Sequence, residues 1–136
     1  FYLLAYQNIY ASEGNMTKGT DGKTIDAMSL ERIDKLIESL KSEKYQPNPS
    51  RRTYIPKKNG KMRPLGIPSF DDKLIQEMIR MILQTIYEGY FEKSSHGFRP
   101  NKSCHTALNA IQKSFTGAKW FIEGDIKGFL ITSTIK

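Results

Sequence analysis

IPKKNGKMRPLGIP, residues 55–68, decides how this chain folds. Two short runs with apolar ends flank a Lys-Asn-Gly tip. Asn59-Gly60 is a strong hairpin signal, because both residues tolerate positive φ and a primed turn matches the twist of the strands. We therefore predict a β-hairpin with strands over about residues 51–57 and 61–67. The ribbon would bring together four cations suited to phosphate: Lys57, Lys58, Lys61 and Arg63.

The net charge of the chain is concentrated around this hairpin. The 136 residues carry a net charge of +7, and residues 41–63 alone hold eight cations against the single acid Glu43, which also gives +7. Such a cluster indicates a polyanionic partner, with nucleic acid as the first candidate and a solvated basic loop as the alternative. Tyr45 and Tyr54 lie among the cations and could stack on bases.

Length and composition exclude several classes of protein. The chain fits one domain or a piece of a larger one, and because it begins at Phe1 we expect a fragment. No apolar run approaches the roughly 18 residues that span a bilayer. A single cysteine, Cys104, rules out an internal disulfide and a multi-cysteine zinc site. A cytoplasmic location in a bacterium is the default expectation, with an organelle as the alternative.

Apolar spacing and capping residues predict helices around the hairpin. Residues 1–11 favour a helix and residues 12–25 a long loop. Ser29 and Ser69 each begin a helix, the second with Asp72 as a capping partner and a run to about Tyr87. That second helix is apolar on more than one face and should be buried on most sides. Asn101 or Ser103 begins the last helix.

Residues near the end of the sequence predict one more strand. Trp120, Phe121 and Ile122 are typical of a short buried strand that ends at Asp125. Before it, we expect His96 and Phe98 to serve the structure, with the Phe98 ring packed in the core.

Three ordered blocks resemble a known family. Arg63–Pro68 (RPLGIP), His96–Pro100 (HGFRP) and Glu123–Phe129 (EGDIKGF) are similar to the fingers and the start of the palm of a group II intron-encoded reverse transcriptase, or maturase. The resemblance implies an α+β fold, with helix-rich fingers, a β-hairpin and the first palm strand of a right-hand polymerase. It divides the chain into an N-terminal extension with a template-lid loop (1–28), fingers (29–118) and the start of a palm (119–136).

The resemblance also implies roles for single residues. Lys57 and Arg63 would contact the triphosphate of the incoming nucleotide, and Phe129 lies near the aromatic pair that screens its sugar. Asp125 would be the first metal-binding aspartate and the catalytic residue of the palm, holding Mg²⁺ together with the backbone carbonyl of Ile126.

Nucleic-acid contacts are expected from six cations. The loop at 14–22 would cover the template strand, with a flexible linker as the alternative. Arg99 stands just before a helix start, which suits phosphate. The expected contacts are Lys18, Arg51, Arg52, Lys58, Lys61 and Arg99.

The implied function is that of a fragment of an RNA-directed DNA polymerase that binds intron RNA template, primer DNA and dNTP and assists intron splicing and mobility. A non-catalytic RNA-binding maturase module that promotes intron RNA folding is the alternative. The sequence departs from the family after Phe129, and Tyr-any-Asp-Asp is absent, so we expect these residues alone not to synthesise DNA. We expect no membrane partner, and an unfinished sheet edge after Asp125 could pair with a second copy in a homodimer.

Overall fold

The computed structural model describes residues 1–12 and 14–124. They form two compact units, residues 1–89 and the part from residue 90 onward. The predicted α+β class is confirmed by four helices, one two-stranded antiparallel sheet and a short 3-10 turn at Ile25–Ala27. In chain order the elements are α1 (Tyr2–Tyr10), α2 (Leu30–Lys41), β1 (Arg51–Pro56), β2 (Met62–Ile67), α3 (Phe70–Tyr87) and α4 (Cys104–Ser114).

The core of the first unit lies where α1, α2 and α3 meet. Leu74 at its centre is 1% exposed, and the residues around it follow the helical spacing of their own elements. The hairpin contributes nothing to this cluster. The core residues are Ala5, Ile33, Leu36, Leu74, Ile75 and Met78. Because α1 shares this core with α2 and α3, the N-terminal helix belongs to the same packed unit as these two helices.

Serine caps begin three of the helices. The Ser29 and Ser69 side chains accept the backbone N–H of Arg32 and Asp72, which confirms both predicted starts. For α4 the structure decides between the two candidates in favour of Ser103, which forms a capping box with Thr106.

The second half of α3 is less buried than its sequence predicts. Ile79, Ile82, Leu83 and Ile86 share one face and stand about half exposed, so burial on most sides is wrong for the described part of the chain. Apolar spacing shows which face another element could cover, and within the described residues of the first unit no element covers this one. Among them, no helix combines the length and the apolar character needed to cross a membrane.

The second unit differs from prediction at two places. Phe98 is fully exposed rather than packed in a core, and its backbone lies in the left-handed region (φ 55°). Residues 120–122 form no strand and are largely exposed. A strand needs a partner for its backbone groups, and the two strands of the described residues pair with each other.

A carboxylate joins α1 to α3. Glu77 Oε1 accepts a hydrogen bond from Asn8 Nδ2 (2.9 Å), and Arg80 donates to both carboxylate oxygens of Glu77 (2.7 Å each). The bonds from Arg80 are the main cause of a lowered Glu77 pKa; Asn8 adds to the effect, and burial partly opposes it. The ionised Glu77 is therefore stabilised in the folded state more than in the unfolded chain.

This contact should appear in the acid stability of the protein. Because the folded pKa of Glu77 is lowered, its contribution is complete above the ordinary value of 4.5 and is lost as the pH falls through the folded pKa. Glu77→Gln cannot ionise, so its melting temperature should fall less between about pH 5 and pH 3. Thermal unfolding across this range measures the slope. Asp34→Asn, an exposed carboxyl on α2, should keep the original slope; an unchanged slope in Glu77→Gln would contradict the assignment.

Candidate nucleic-acid interface

The hairpin forms as predicted, but its turn is of another type. Lys57 N–H donates to Lys61 O (2.7 Å) and Gly60 N–H donates to Lys57 O (3.0 Å), which closes a three-residue loop. Gly60 lies in the left-handed region (φ 77°), whereas Asn59 does not; instead, Asn59 Oδ1 accepts the Lys61 N–H (3.2 Å). A turn followed by a bulge needs one left-handed residue, so the expected primed turn is wrong.

The register gives the ribbon two chemically different faces. Arg51 pairs with Ile67 and Ile55 with Arg63, and directly opposed residues point to the same side of a sheet. Both arginines therefore lie on one face, and the alternation of β1 brings Lys57 to the same side. Arg52 lies on the opposite face. We call these sides the Arg63 face and the Arg52 face; the latter also carries Tyr54, Pro56, Met62 and Pro64.

The two prolines of the ribbon occupy its outer edges. The Lys57–Lys61 pair is hydrogen-bonded, and bonded and non-bonded pairs alternate in an antiparallel ladder. The pairs Pro56–Met62 and Tyr54–Pro64 are therefore non-bonded pairs, whose N–H groups point away from the partner strand. Neither proline removes a bond inside the hairpin, and each removes a donor from an outer edge.

The cations of the hairpin are exposed and have no carboxylate partner among the residues that the structure describes. All six are exposed, and across residues 1–12 and 14–124 none of them forms an ion pair. The six are Arg51, Arg52, Lys57, Lys58, Lys61 and Arg63. A basic surface without internal compensation retains its full attraction for a polyanion.

The loop at 14–22, which was expected to cover a template, is anchored to the helices of the first unit. Arg32 bridges Asp71 (2.8 Å) and Asp21 (3.5 Å). The buried Asn15 side chain bonds the carbonyls that end α1. These contacts do not fit a flexible linker, and they leave Lys18 exposed. Sequence reasoning missed Arg32 and Asn15, because their partners are distant or are backbone atoms.

Tyr45 is held inside the structure rather than presented to bases. Its hydroxyl donates to Asp72 Oδ1, and burial, followed by this hydrogen bond and the Asp72 charge, raises the pKa of the phenol above its usual range. Asp72 was expected only as a helix cap, so its link to Tyr45 was missed. Tyr54, on the Arg52 face, is the exposed aromatic of this region.

Comparison with known proteins gives the family. Residues 55–130 match the model for "Reverse transcriptase (RNA-dependent DNA polymerase)". This chain belongs to the reverse transcriptase family. It is 60% identical over 128 residues to the group II intron-encoded protein LtrA of Lactococcus lactis subsp. cremoris. The aligned region covers 93% of this chain and 21% of LtrA.

Two further relatives carry intron-related names. An uncharacterized 91 kDa protein in the cob intron of Schizosaccharomyces pombe is 50% identical over 126 residues, 93% of this chain and 16% of that protein. Nuclear intron maturase 2, mitochondrial, of Arabidopsis thaliana is 37% identical over 75 residues, 49% of this chain and 10% of that protein. The chain thus spans about a fifth or less of the length of these relatives.

Arg99, one of the residues predicted to contact nucleic acid, has partners within the second unit. Its Nη1 donates to the carbonyls of Glu92 and Ser95 (3.0 Å each), and the guanidinium lies 5.0 Å from the centre of the Phe91 ring. These contacts close the loop before α4. His96 Nδ1 lies 2.9 Å from Thr106 Oγ1, in keeping with a structural role. Contact of Arg99 with a template strand stays a prediction.

The expected palm residues cannot be compared with the structure. Asp125, Ile126 and Phe129 lie outside the described residues. Within the described ranges no three His, Cys, Asp or Glu side chains come together in a way that could hold a metal ion. The catalytic and metal roles of these positions therefore stay predictions.

Proposed function

We propose that this chain supplies the fingers of an RNA-directed DNA polymerase encoded by a group II intron. In this proposal the hairpin contacts the template RNA and the incoming dNTP. The observation that carries the proposal is the hairpin with six exposed cations and no carboxylate partner among the described residues. Membership of the reverse transcriptase family supports the polymerase activity.

The Arg63 face is the side we assign to the nucleotide. Arg63 can hold phosphate oxygens bidentately through its planar guanidinium, while Lys57 acts as a point charge. Two such cations would neutralise the charge that builds on the leaving pyrophosphate. Arg51 lies on the same face at the start of β1, at the end of the hairpin far from its turn. There it would contact the backbone of a nucleic acid strand.

The metal part of the proposal rests on the family. Reverse transcriptases generally use divalent metal ions, and we propose that Asp125 and the Ile126 carbonyl bind Mg²⁺, with Phe129 beside the nucleotide sugar. When bound, Mg²⁺ would polarise the reacting phosphate. Primer DNA, a cytoplasmic location and a homodimer remain predictions of the same proposal.

A maturase role without polymerisation is the second candidate. One relative is named a nuclear intron maturase, and the exposed cations would serve intron RNA folding equally well. Paired aspartates in the intron-encoded protein favour the polymerase, and their loss favours the maturase. A splicing assay with intron RNA, run beside a primer-extension assay, separates the two activities.

Salt dependence tests the hairpin as the RNA-binding surface. Each phosphate contact on single-stranded RNA displaces counterions and adds about 0.7 to the slope of log K against log salt. With no dNTP present, Lys57 and Arg63 are also free to contact RNA, so replacing Arg51, Arg52, Lys57 and Arg63 with alanine should reduce the slope by up to roughly 3. Fluorescence anisotropy of a labelled RNA across a salt series measures it.

The matched control removes the same charge elsewhere. Alanine at four exposed lysines outside residues 41–63 should change the slope far less than the hairpin variant does. Equal slopes for the two variants would show that net charge, rather than the hairpin, drives binding. The control positions are Lys35, Lys93, Lys113 and Lys119.

These 136 residues alone should not extend a primer. Two-metal catalysis needs several carboxylates around the ions, and Asp125 is the one residue of the chain that we assign to that set. Incubation with a primed RNA template, dNTPs and Mg²⁺ should leave the primer at its original length, as read on a sequencing gel. An active reverse transcriptase in the same mixture verifies the substrates; robust extension by this chain would overturn the prediction.

A further inference from the structure

Both ends of the hairpin meet at one buried carboxylate. Asp72, in the first turn of α3, is 4% exposed. Its oxygens accept the backbone N–H of Asn48 (3.2 and 3.3 Å), which precedes β1, and the hydroxyl of Ser69 (2.5 Å), which follows β2. The Tyr45 hydroxyl is a further donor. A single side chain thus ties the entry and the exit of the ribbon to the start of a core helix.

The loop at 14–22 contacts the root of the hairpin, by which we mean the residues that flank its two strands. A β-carbon at Gly19 would lie 2.8 Å from Ser69 Cα and 3.1 Å from Pro68 O, so this contact tolerates only glycine without a shift of the backbone. Thr20 Oγ1 donates to Pro49 O (2.8 Å) on the other flank of the hairpin. The loop that carries Lys18 is therefore fixed against the residues that Asp72 holds together.

The geometry gives this root leverage over the tip. Each strand has six residues, so the tip stands about 20 Å from the root at roughly 3.3 Å per residue. A rotation of about 10° at the root would move the tip by roughly 3 Å, and displacements of about 1 Å already weaken a positioned contact. Most hairpin side chains are exposed, so the root is the principal constraint on where its cations lie.

We propose that Asp72 is a positioning residue that holds the hairpin and the loop at 14–22 as one unit, so that Lys18 and the hairpin cations meet one nucleic acid strand together. This inference rests on the proposed function of the hairpin. Asp72 itself does not touch the ligand, because its carboxylate is buried and engaged with Tyr45, Asn48 and Ser69. Its neighbour Asp71 pairs with Arg32 instead.

Asp72→Asn and Asp34→Asn form a matched pair of variants of this chain. Both raise the net charge by one, and Asp34 is an exposed carboxyl on α2, so the general effect of the added charge on RNA affinity cancels in the comparison. Asp72→Asn should speed amide hydrogen exchange in residues 51–67 by about tenfold or more. It should also weaken RNA binding several-fold relative to Asp34→Asn. In Asp34→Asn the exchange of the hairpin should stay within about twofold of the original.

Two further variants separate positioning from general stability. Leu36→Ala destabilises the core, and if it melts as early as Asp72→Asn it should still leave local exchange in the hairpin slower. Tyr45→Phe removes one bond to Asp72 while keeping the carboxylate, so it should give a smaller change in the same direction even if Asp72→Asn fails to fold. Hairpin exchange in Tyr45→Phe equal to that of the original would then overturn the inference.

The outcomes separate the inference from the function on which it rests. If the variant with alanine at all four hairpin positions binds RNA like the original, the proposed function fails. Hydrogen exchange then still reports whether Asp72 fixes the hairpin. If hairpin cations drive binding but the two aspartate variants bind and exchange alike, Asp72 has no positioning role. Faster exchange with unchanged RNA affinity would also overturn it, because the fixed hairpin would then not serve binding.

Discussion

The buried Asp72 carboxylate is the interaction on which the arrangement of the first unit depends. A buried charge is costly unless it is hydrogen-bonded, and here the donors are a phenol, a hydroxyl and a backbone amide rather than a cation. The start of α3 adds a favourable dipole and the Asp72 N–H bond to Ser69 Oγ. Satisfying this one group brings the segment before β1 and the residue after β2 to the same helix terminus, and this fixes the position of the hairpin.

Charges are used in two ways in this unit. Arg32 pairs with Asp21 and Asp71 and so joins the loop at 14–22 to α3. Arg80 pairs with Glu77 within α3 and stabilises that helix. The hairpin cations have no such partners in the described part of the chain, so they repel one another on a narrow ribbon. A two-stranded ribbon is marginal by itself, and a bound polyanion would relieve this repulsion. Under the proposed function, binding and ordering of the hairpin would thereby be coupled by electrostatics.

The sequence predicted those features that depend on local signals. The hairpin, the caps at Ser29 and Ser69 and the length of α3 follow from turn chemistry, capping and periodicity, all of which act within a few residues. The Tyr45–Asp72 bond joins residues 27 positions apart, and no local pattern predicts such a pair. Phe98 was misjudged for a related reason, because apolar character predicts burial only where a partner surface exists.

The same distinction explains the candidate site. The charge pattern located the basic ribbon, but only the register assigned Arg63 and Arg52 to opposite faces. The turn type was also beyond the sequence, since Asn-Gly suits a primed turn as well as a bulged loop. The roles of Asp125, Ile126 and Phe129 stay predictions, because these positions lie outside the described residues.

The prolines limit how the hairpin can recognise a partner. An exposed two-stranded ribbon offers unpaired backbone groups on both edges and would normally invite a third strand. Pro56 and Pro64 remove a donor from the outer edge of β1 and of β2, so neither edge offers an unbroken ladder. Recognition by added strands, including pairing with the hairpin of a second copy, is therefore disfavoured. The side chains of the two faces remain, and on the Arg63 face they include Arg51, Lys57 and Arg63, whose chemistry fits phosphate.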